Sequence, residues 1–193
     1  MRRYGSVALI FCVLSMPVYA KAKRSLRHKF SFLLSPSATE TTGVPGGSIS
    51  LDTDLKTVFG FSGESTYRIV EQFDLGIASR FHFNVKPDKV VFARSASILD
   101  VVVMPKTHLN LTPAIELQGS FGIGYSILIE TGNTEGALVL IPGVGLQYSM
   151  DANDPEAVAF NLDLSYSMAN YGDELLDRKY NLFSISAGVS YIL

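Results

Sequence analysis

Apolar residues alternate with small or polar ones through most of this chain. Over residues 112–130, Ile115, Leu117, Phe121, Ile123, Tyr125, Ile127 and Ile129 fall on one face, and Glu116, Gln118, Ser120, Gly122, Gly124 and Ser126 on the other. Over 158–168, Val158, Phe160, Leu162, Leu164, Tyr166 and Met168 oppose Ala159, Asn161, Asp163, Ser165 and Ser167. The same split runs through 73–85, 138–150, 183–193 and, less regularly, 55–69. A period of two marks strands whose two faces meet different surroundings. A first strand is expected in 28–35 and another somewhere in 93–104, so the chain predicts eight strands in all.

Turn-forming stretches separate them: "PSATETTGVPGG", "VEQ", "KPDK", "PKTHLN", "TGNTEG", "DANDPEA" and "NYGDELLDRKYN". The longest apolar run, 137–146, is too short for a membrane helix and carries Pro142. Pro142 cannot donate to a ladder, so it is expected near the rim of a sheet or at a bulge.

Eight two-faced strands fit either a soluble barrel or sandwich, or a membrane barrel turned inside out. The less apolar face decides. It is dominated by Gly, Ala, Ser and Asn, whereas a water-facing surface would carry Lys, Glu and Thr. Small residues suit a crowded lumen, and an eight-stranded barrel has an interior that side chains just fill. Lys56, Glu64, Arg68, Asp74, Arg80, Glu116, Gln118, Gln147, Asn161 and Asp163 are then expected to fill it as a paired polar network, with Arg94 as a further counter-ion. Hydrocarbon offers backbone groups no hydrogen bonds, so the sheet must close and the last strand must pair with the first. The expected fold is all-β: a closed antiparallel up-and-down transmembrane barrel of eight strands.

The amino terminus adds a destination. Residues 1–20 have a basic start at Arg2 and Arg3, an apolar stretch over 7–16 and small residues before Ala20, as in a secretory signal peptide. Cleavage after Ala20, or alternatively Ala22, would leave a barrel domain over 21–193. Cys12 is the only cysteine, so no disulfide, thiol nucleophile or thiolate metal site is available after cleavage. A formal charge of -2 gives no reason to expect nucleic acid.

With its signal peptide, two-faced strands and alternating final segment ending near Tyr191, the chain resembles the small eight-stranded outer-membrane β-barrels of Gram-negative bacteria, including the attachment and opacity-type proteins. The resemblance implies residence in the cell outer membrane. Its lipids and lipopolysaccharide would then be partners, and Phe183, Ile185, Val189, Tyr191 and Leu193 would be the signal read by the outer-membrane assembly machinery. Trp is absent, so an aromatic girdle would use Tyr67, Phe73, Phe83, Tyr125, Tyr148, Tyr166, Phe183 and Tyr191.

No catalytic, cofactor or metal site is predicted. The three histidines, His28, His82 and His108, are far apart in sequence; none forms a readable pair with a serine nucleophile, and no His-Ser motif of the lipid A deacylase type is present. A structural or surface-interaction role is expected, acting through outward loops in which Tyr171, Asp173, Glu174, Asp177, Arg178 and Lys179 could contact a host surface or lipopolysaccharide. The alternatives are a barrel enzyme that modifies lipid A and a soluble exported lipocalin-like binder.

Overall fold

The computed structural model describes residues 26–44, 50–85, 96–130, 132–151, 158–172 and 177–192. Alternation in these segments produces strands: β1 Leu26–Gly43, β2 Ser50–Asp54, β3 Val58–Val70, β4 Phe73–Val85, β5 Ala96–Asn110, β6 Ile115–Glu130, β7 Asn133–Ser149, β8 Val158–Gly172 and β9 Asp177–Ile192. Neighbours pair antiparallel in the order β2-β1-β3-β4-β5-β6-β7-β8-β9, and β1 also pairs with β9. β1 and β3 through β9 therefore close an eight-stranded up-and-down barrel. The closing seam runs from Arg27↔Ile192 to Gly43↔Asp177, so the final strand is held along its length.

Several boundaries differ from the sequence reading. β1 runs through most of "PSATETTGVPGG", crossing Pro36 at a register shift against β9 between Leu34 and Ser37. β2 was not anticipated. It takes over beside β1 where β3 stops, with Ser35↔Val58 giving way to Thr39↔Asp54. "PKTHLN" belongs to β5, and the turn to β6 follows it at 111–114. "TGNTEG" shrinks to a hairpin turn in which Gly132 has φ 85, a left-handed conformation open to glycine at no steric cost. Pro142 lies mid-strand rather than at the rim. It pairs with Phe121 on β6, while the β8 ladder passes from Leu140↔Met168 to Gly143↔Ser165 with no slip. The missing N–H is thus absorbed by a local gap on one side.

β5 could not be phased from sequence because both of its faces are apolar. Ile98, Val102 and Met104 point inward and Val101 and Val103 outward. These inward side chains belong to a second departure from expectation. The lumen is charged chiefly in the half nearer the chain termini; further along, buried Ser35, His82, Asp100, Ser126, Ser167 and Ser184 are scattered among apolar side chains. The far half is filled by an apolar cluster that includes Val58, Ile98, Val102, Leu128, Val139, Ile141, Tyr171, Tyr180 and Leu182.

Candidate functional site

Nine of the ten predicted lumen residues lie inside the barrel. Asp74, Glu116, Gln118, Gln147 and Asn161 are buried, and Glu64, Arg68, Arg80 and Asp163 make the inward contacts described below. Lys56 does not join them. It is exposed between β2 and β3, while Leu55, assigned to the outer face, is 7% exposed. The alternation read through 55–69 breaks at Lys56 and Thr57, which belong to no strand. Arg94 and Leu193 fall outside the described residues.

The polar half is crossed by charged struts. Nearest the termini, Arg27 Nη1 donates to Gln147 Oε1 at 2.6 Å, and Arg68 Nε donates to Asp74 Oδ1 at 3.1 Å. His108 bridges Asp74 and Glu116 at 2.9 and 2.6 Å. Gln118 Nε2 donates to both Glu116 and Gln147. One layer further in, Lys29 Nζ meets Asp163 at 2.5 Å, Lys106 Nζ meets Glu64 at 2.5 Å and Arg80 Nη1 donates to Ser165 Oγ at 2.9 Å. Five cations (Arg27, Lys29, Arg68, Arg80, Lys106) face five carboxylates (Glu64, Asp74, Asp100, Glu116, Asp163), a balance that such burial requires. The cavities left between these struts are about 10 and 20 Å³, each room for roughly one water.

Five members of this network were missed from sequence. Arg27 precedes the first strand read at 28–35, Lys29 stands in that strand with its face unassigned, Lys106 and His108 sit in a stretch read as a turn, and Asp100 in the run with no period. Asp100 lies within the apolar stretch of β5, between inward Val102 and Ile98. It is linked through Ser126 to Tyr171, and His82 Nε2 lies 3.8 Å from it. Neither His82 ring nitrogen has a hydrogen-bond partner among the described residues.

At the far mouth, Arg178 donates to both Glu130 oxygens, to Glu40 and to the Tyr180 hydroxyl, with Glu135 at 3.7 Å. Outward neighbours at this level are Thr41, Asn170 and Lys179, so Arg178 stands beyond the apolar belt. Hydrogen bonding to Glu130 is the largest cause holding its pKa above the ordinary arginine value. Tyr171 and Arg178, expected in a surface loop, therefore point inward. Asp173 and Glu174 lie outside the described residues.

The outer wall is apolar all round. Phe121, Ile123, Leu162 and Leu164 are 47, 45, 52 and 41% exposed and point away from the axis. They belong to a belt far larger than the patch of about 300–600 Å² that a soluble monomer shows. Tyr67, Tyr148 and Tyr191 ring its terminal end, and Tyr125 and Tyr166 stand on the opposite half. Phe183, Ile185, Val189 and Tyr191 face outward on β9. On this wall the fold also makes a Ser–His contact that sequence could not supply: His28 and Ser65 are cross-strand partners with Nδ1 and Oγ 2.9 Å apart.

Among solved structures, the chain is similar to the outer membrane protein OprG from Pseudomonas aeruginosa, at 10% identity over 88% of this chain and 96% of that one, with a TM-score of 0.58. It is also similar to Neisserial surface protein A, at 12% identity over 86% and 96%, with a TM-score of 0.54. The attachment invasion locus protein Ail of Yersinia pestis aligns at 17% identity over 86% and 99%, with a TM-score of 0.49. No protein-family model and no curated protein matches the sequence. The fold is that of the small outer-membrane β-barrels. Together with the lipid-facing belt, it places the protein in the outer membrane.

Proposed function

We propose that this protein is a non-enzymatic outer-membrane barrel with a structural or surface-interaction role. In this reading, residues 1–20 direct export and 21–193 form the barrel. The assembly machinery reads the outward residues of β9 together with Leu193. Both termini lie in the periplasm, because the connections at their end, 71–72, 111–114 and 150–157, average shorter than those at the other, 44–57, 86–95, 131–132 and 173–176, as periplasmic turns do in such barrels. Lipids and lipopolysaccharide surround the belt, and contacts with other molecules fall to the far rim, where β1, β2, β8 and β9 are longest or extend past the belt.

The observation that carries this reading is the filled lumen. Among the described residues, charged struts close the periplasmic half and packed apolar side chains close the other, which leaves no solute path between them. Proteoliposomes containing the refolded barrel should not swell in isotonic arabinose. Swelling at the rate of an open porin would overturn the proposal.

A second reading, hydrolysis of lipid esters at the outer wall, has one feature in its favour, the His28–Ser65 contact. The surroundings argue against it. The backbone N–H groups beside Ser65 are committed to the β3 ladders, which leaves none to stabilise an oxyanion, and the His28 ring rests against Tyr191 at 5.5 Å rather than on an orienting carboxylate. Lipid turnover by the purified protein that disappears in Ser65→Ala would establish this second reading.

A further inference from the structure

The charges of the lumen balance in its inner layer but not at the mouth nearest the chain termini. Further in, Lys29, Arg80 and Lys106 stand against Glu64, Asp100 and Asp163, three of each sign. In the outermost layer Arg27 and Arg68 stand against Asp74 and Glu116, and His108 lies between those two carboxylates. Its Nδ1 is 2.6 Å from Glu116 Oε1 and its Nε2 is 2.9 Å from Asp74 Oδ2. The second contact does not meet hydrogen-bond geometry, so it is an ion pair. A neutral imidazole would turn a lone pair toward one of the two carboxylates, and this placement therefore calls for the imidazolium, with a proton on each nitrogen. Three cations then face two carboxylates in this layer, an excess of one positive charge in a partly dehydrated place.

That excess borders a cavity. About 380 Å³ opens at this mouth, within the range of about 300–1,000 Å³ that small-molecule sites occupy. The spaces deeper in the lumen hold only about 10 and 20 Å³, so the cavity is a blind recess: a ligand can enter it and go no further. Arg27, Arg68 and Glu116 all line it. Glu116 is already committed, with its Oε1 accepting from His108 and from Gln118 Nε2. Arg68 is less so. Its Nε donates to Asp74, but its buried Nη2 has no hydrogen-bond partner among the described residues and stands 3.6 Å from Glu116 Oε2. Glu71 and Asp151, exposed acidic residues near the same end, do not line the recess.

The remaining wall suits a short peptide end. Thr112 Oγ1 accepts the N–H groups of Ala114 and Ile115, and the Ser149 N–H donates to Ala114 O at 2.8 Å. The turn over 111–114 is thereby fastened to β7 and forms a firm side of the recess. Pro113 and Ala114 make that side apolar and leave room for a methyl-sized group, while Asn110 and Gln147 bring amides that can pair with a peptide unit. One surplus charge matches a monoanion, a carboxylate, better than a phosphate dianion.

We infer that the mouth nearest the chain termini is a binding site for a small monocarboxylate, the carboxyl-terminal end of a short peptide with a small last side chain. The carboxylate settles on Arg68, where a small rotation of the guanidinium turns Nη2 onto it, and Arg27 adds its charge. The last peptide unit lies against Asn110 and Gln147. With the termini in the periplasm, the occupant comes from that compartment.

Chemical-shift titration of the refolded, isotope-labelled protein in detergent micelles with N-acetyl-Ala-Ala, at neutral pH and fixed ionic strength, tests this. Amide signals over 110–115 and of Ser149 should shift and saturate. N-acetyl-alanyl-alaninamide, the same molecule without the charge, should bind on the order of tenfold more weakly. Acetate separates a peptide end from a free small acid: it should bind more weakly than the peptide, and equal affinity would overturn the peptide assignment. Arg68→Gln should weaken the peptide on the order of tenfold. Asn110→Asp, at an exposed position that leaves the struts intact, should weaken it about threefold by repulsion. Heat-modifiable migration on a detergent gel verifies each barrel, and if Arg68→Gln does not fold, Asn110→Asp and the amide comparison decide. No saturable shift in wild type, equal binding of acid and amide, or tighter binding of inorganic phosphate would overturn the inference. Impermeable proteoliposomes beside any of these results would leave the proposed function standing.

Discussion

Replacing Lys106 by methionine removes one end of a strut in the polar half of the lumen. Lys106 Nζ and Glu64 Oε1 are 2.5 Å apart, and the two side chains are 6 and 10% exposed. At an effective dielectric near 20, two unit charges at that distance attract by about 7 kcal/mol, which is mostly offset by the cost of taking both out of water. The informative quantity is the loss when one partner goes and the other stays buried, typically about 3–5 kcal/mol. Glu64 would keep some compensation, because Lys29 is its direct cross-strand partner. The expected loss for Lys106→Met is therefore near the lower bound, about 3 kcal/mol. Converting Glu64 to glutamine in the same chain removes the orphaned charge, so the double variant should return to within about 1 kcal/mol of wild type. The chain has nine tyrosines and no tryptophan, so equilibrium urea unfolding in lipid vesicles would be followed by tyrosine emission and checked by gel migration. A single-variant loss below about 1 kcal/mol, or losses that simply add, would show that the pair is solvated and the lumen not sealed there.

Other outcomes follow from the same geometry. A side chain on Gly188 would run into the Ser31 hydroxyl and the Phe30 carbonyl across the closing seam, whereas one on Gly63 would meet only Ser79 Oγ at 3.8 Å. Gly188→Val should lower the urea midpoint by an amount equivalent to about 1–3 kcal/mol, and Gly63→Ala should be nearly silent. Arg178→Gln should lower global stability by about 1–3 kcal/mol, since it strips partners from Glu40 and Glu130, whose side chains are 13 and 20% exposed. It should speed amide hydrogen exchange over Thr39–Gly43 and 177–181, and unchanged exchange there would show that the guanidinium does not tie the rim together.

The alternation that predicted the barrel was legible because each strand separates lipid from lumen, two environments that demand different residues. It held from Ile115 to Ile127, apart from Gly119 on the outer face, and from Val158 to Met168. It failed where the inside is itself apolar: Ile98, Val102 and Met104 erase the period of β5 and with it the signal that Asp100 points inward. It failed again where the outside is water. Past the belt, neither Thr39–Gly43 nor Asp177–Asn181 has a greasy face to mark it as strand, so both read as loop. The struts were half legible for a related reason. A charge within an alternating segment, such as Glu116 or Asp163, declares its face, but Arg27, Lys29 and Lys106 sit among other polar residues and declare nothing. Partner choice lay wholly beyond the sequence, because Lys29 and Asp163 are brought together by barrel closure across 134 positions.

The division of the interior into an ionic half and an oily half makes the barrel a container with two stoppers of unlike chemistry. Acid or high salt that loosens the carboxylate struts leaves Val139, Ile141 and Leu182 as dry as before, and a solvent that softens those residues does not reach the Lys29–Asp163 and Lys106–Glu64 pairs. Boring a conducting pore through this scaffold would therefore take two separate operations, one neutralising and one truncating, and either alone would yield a dead-end cup open at a single face.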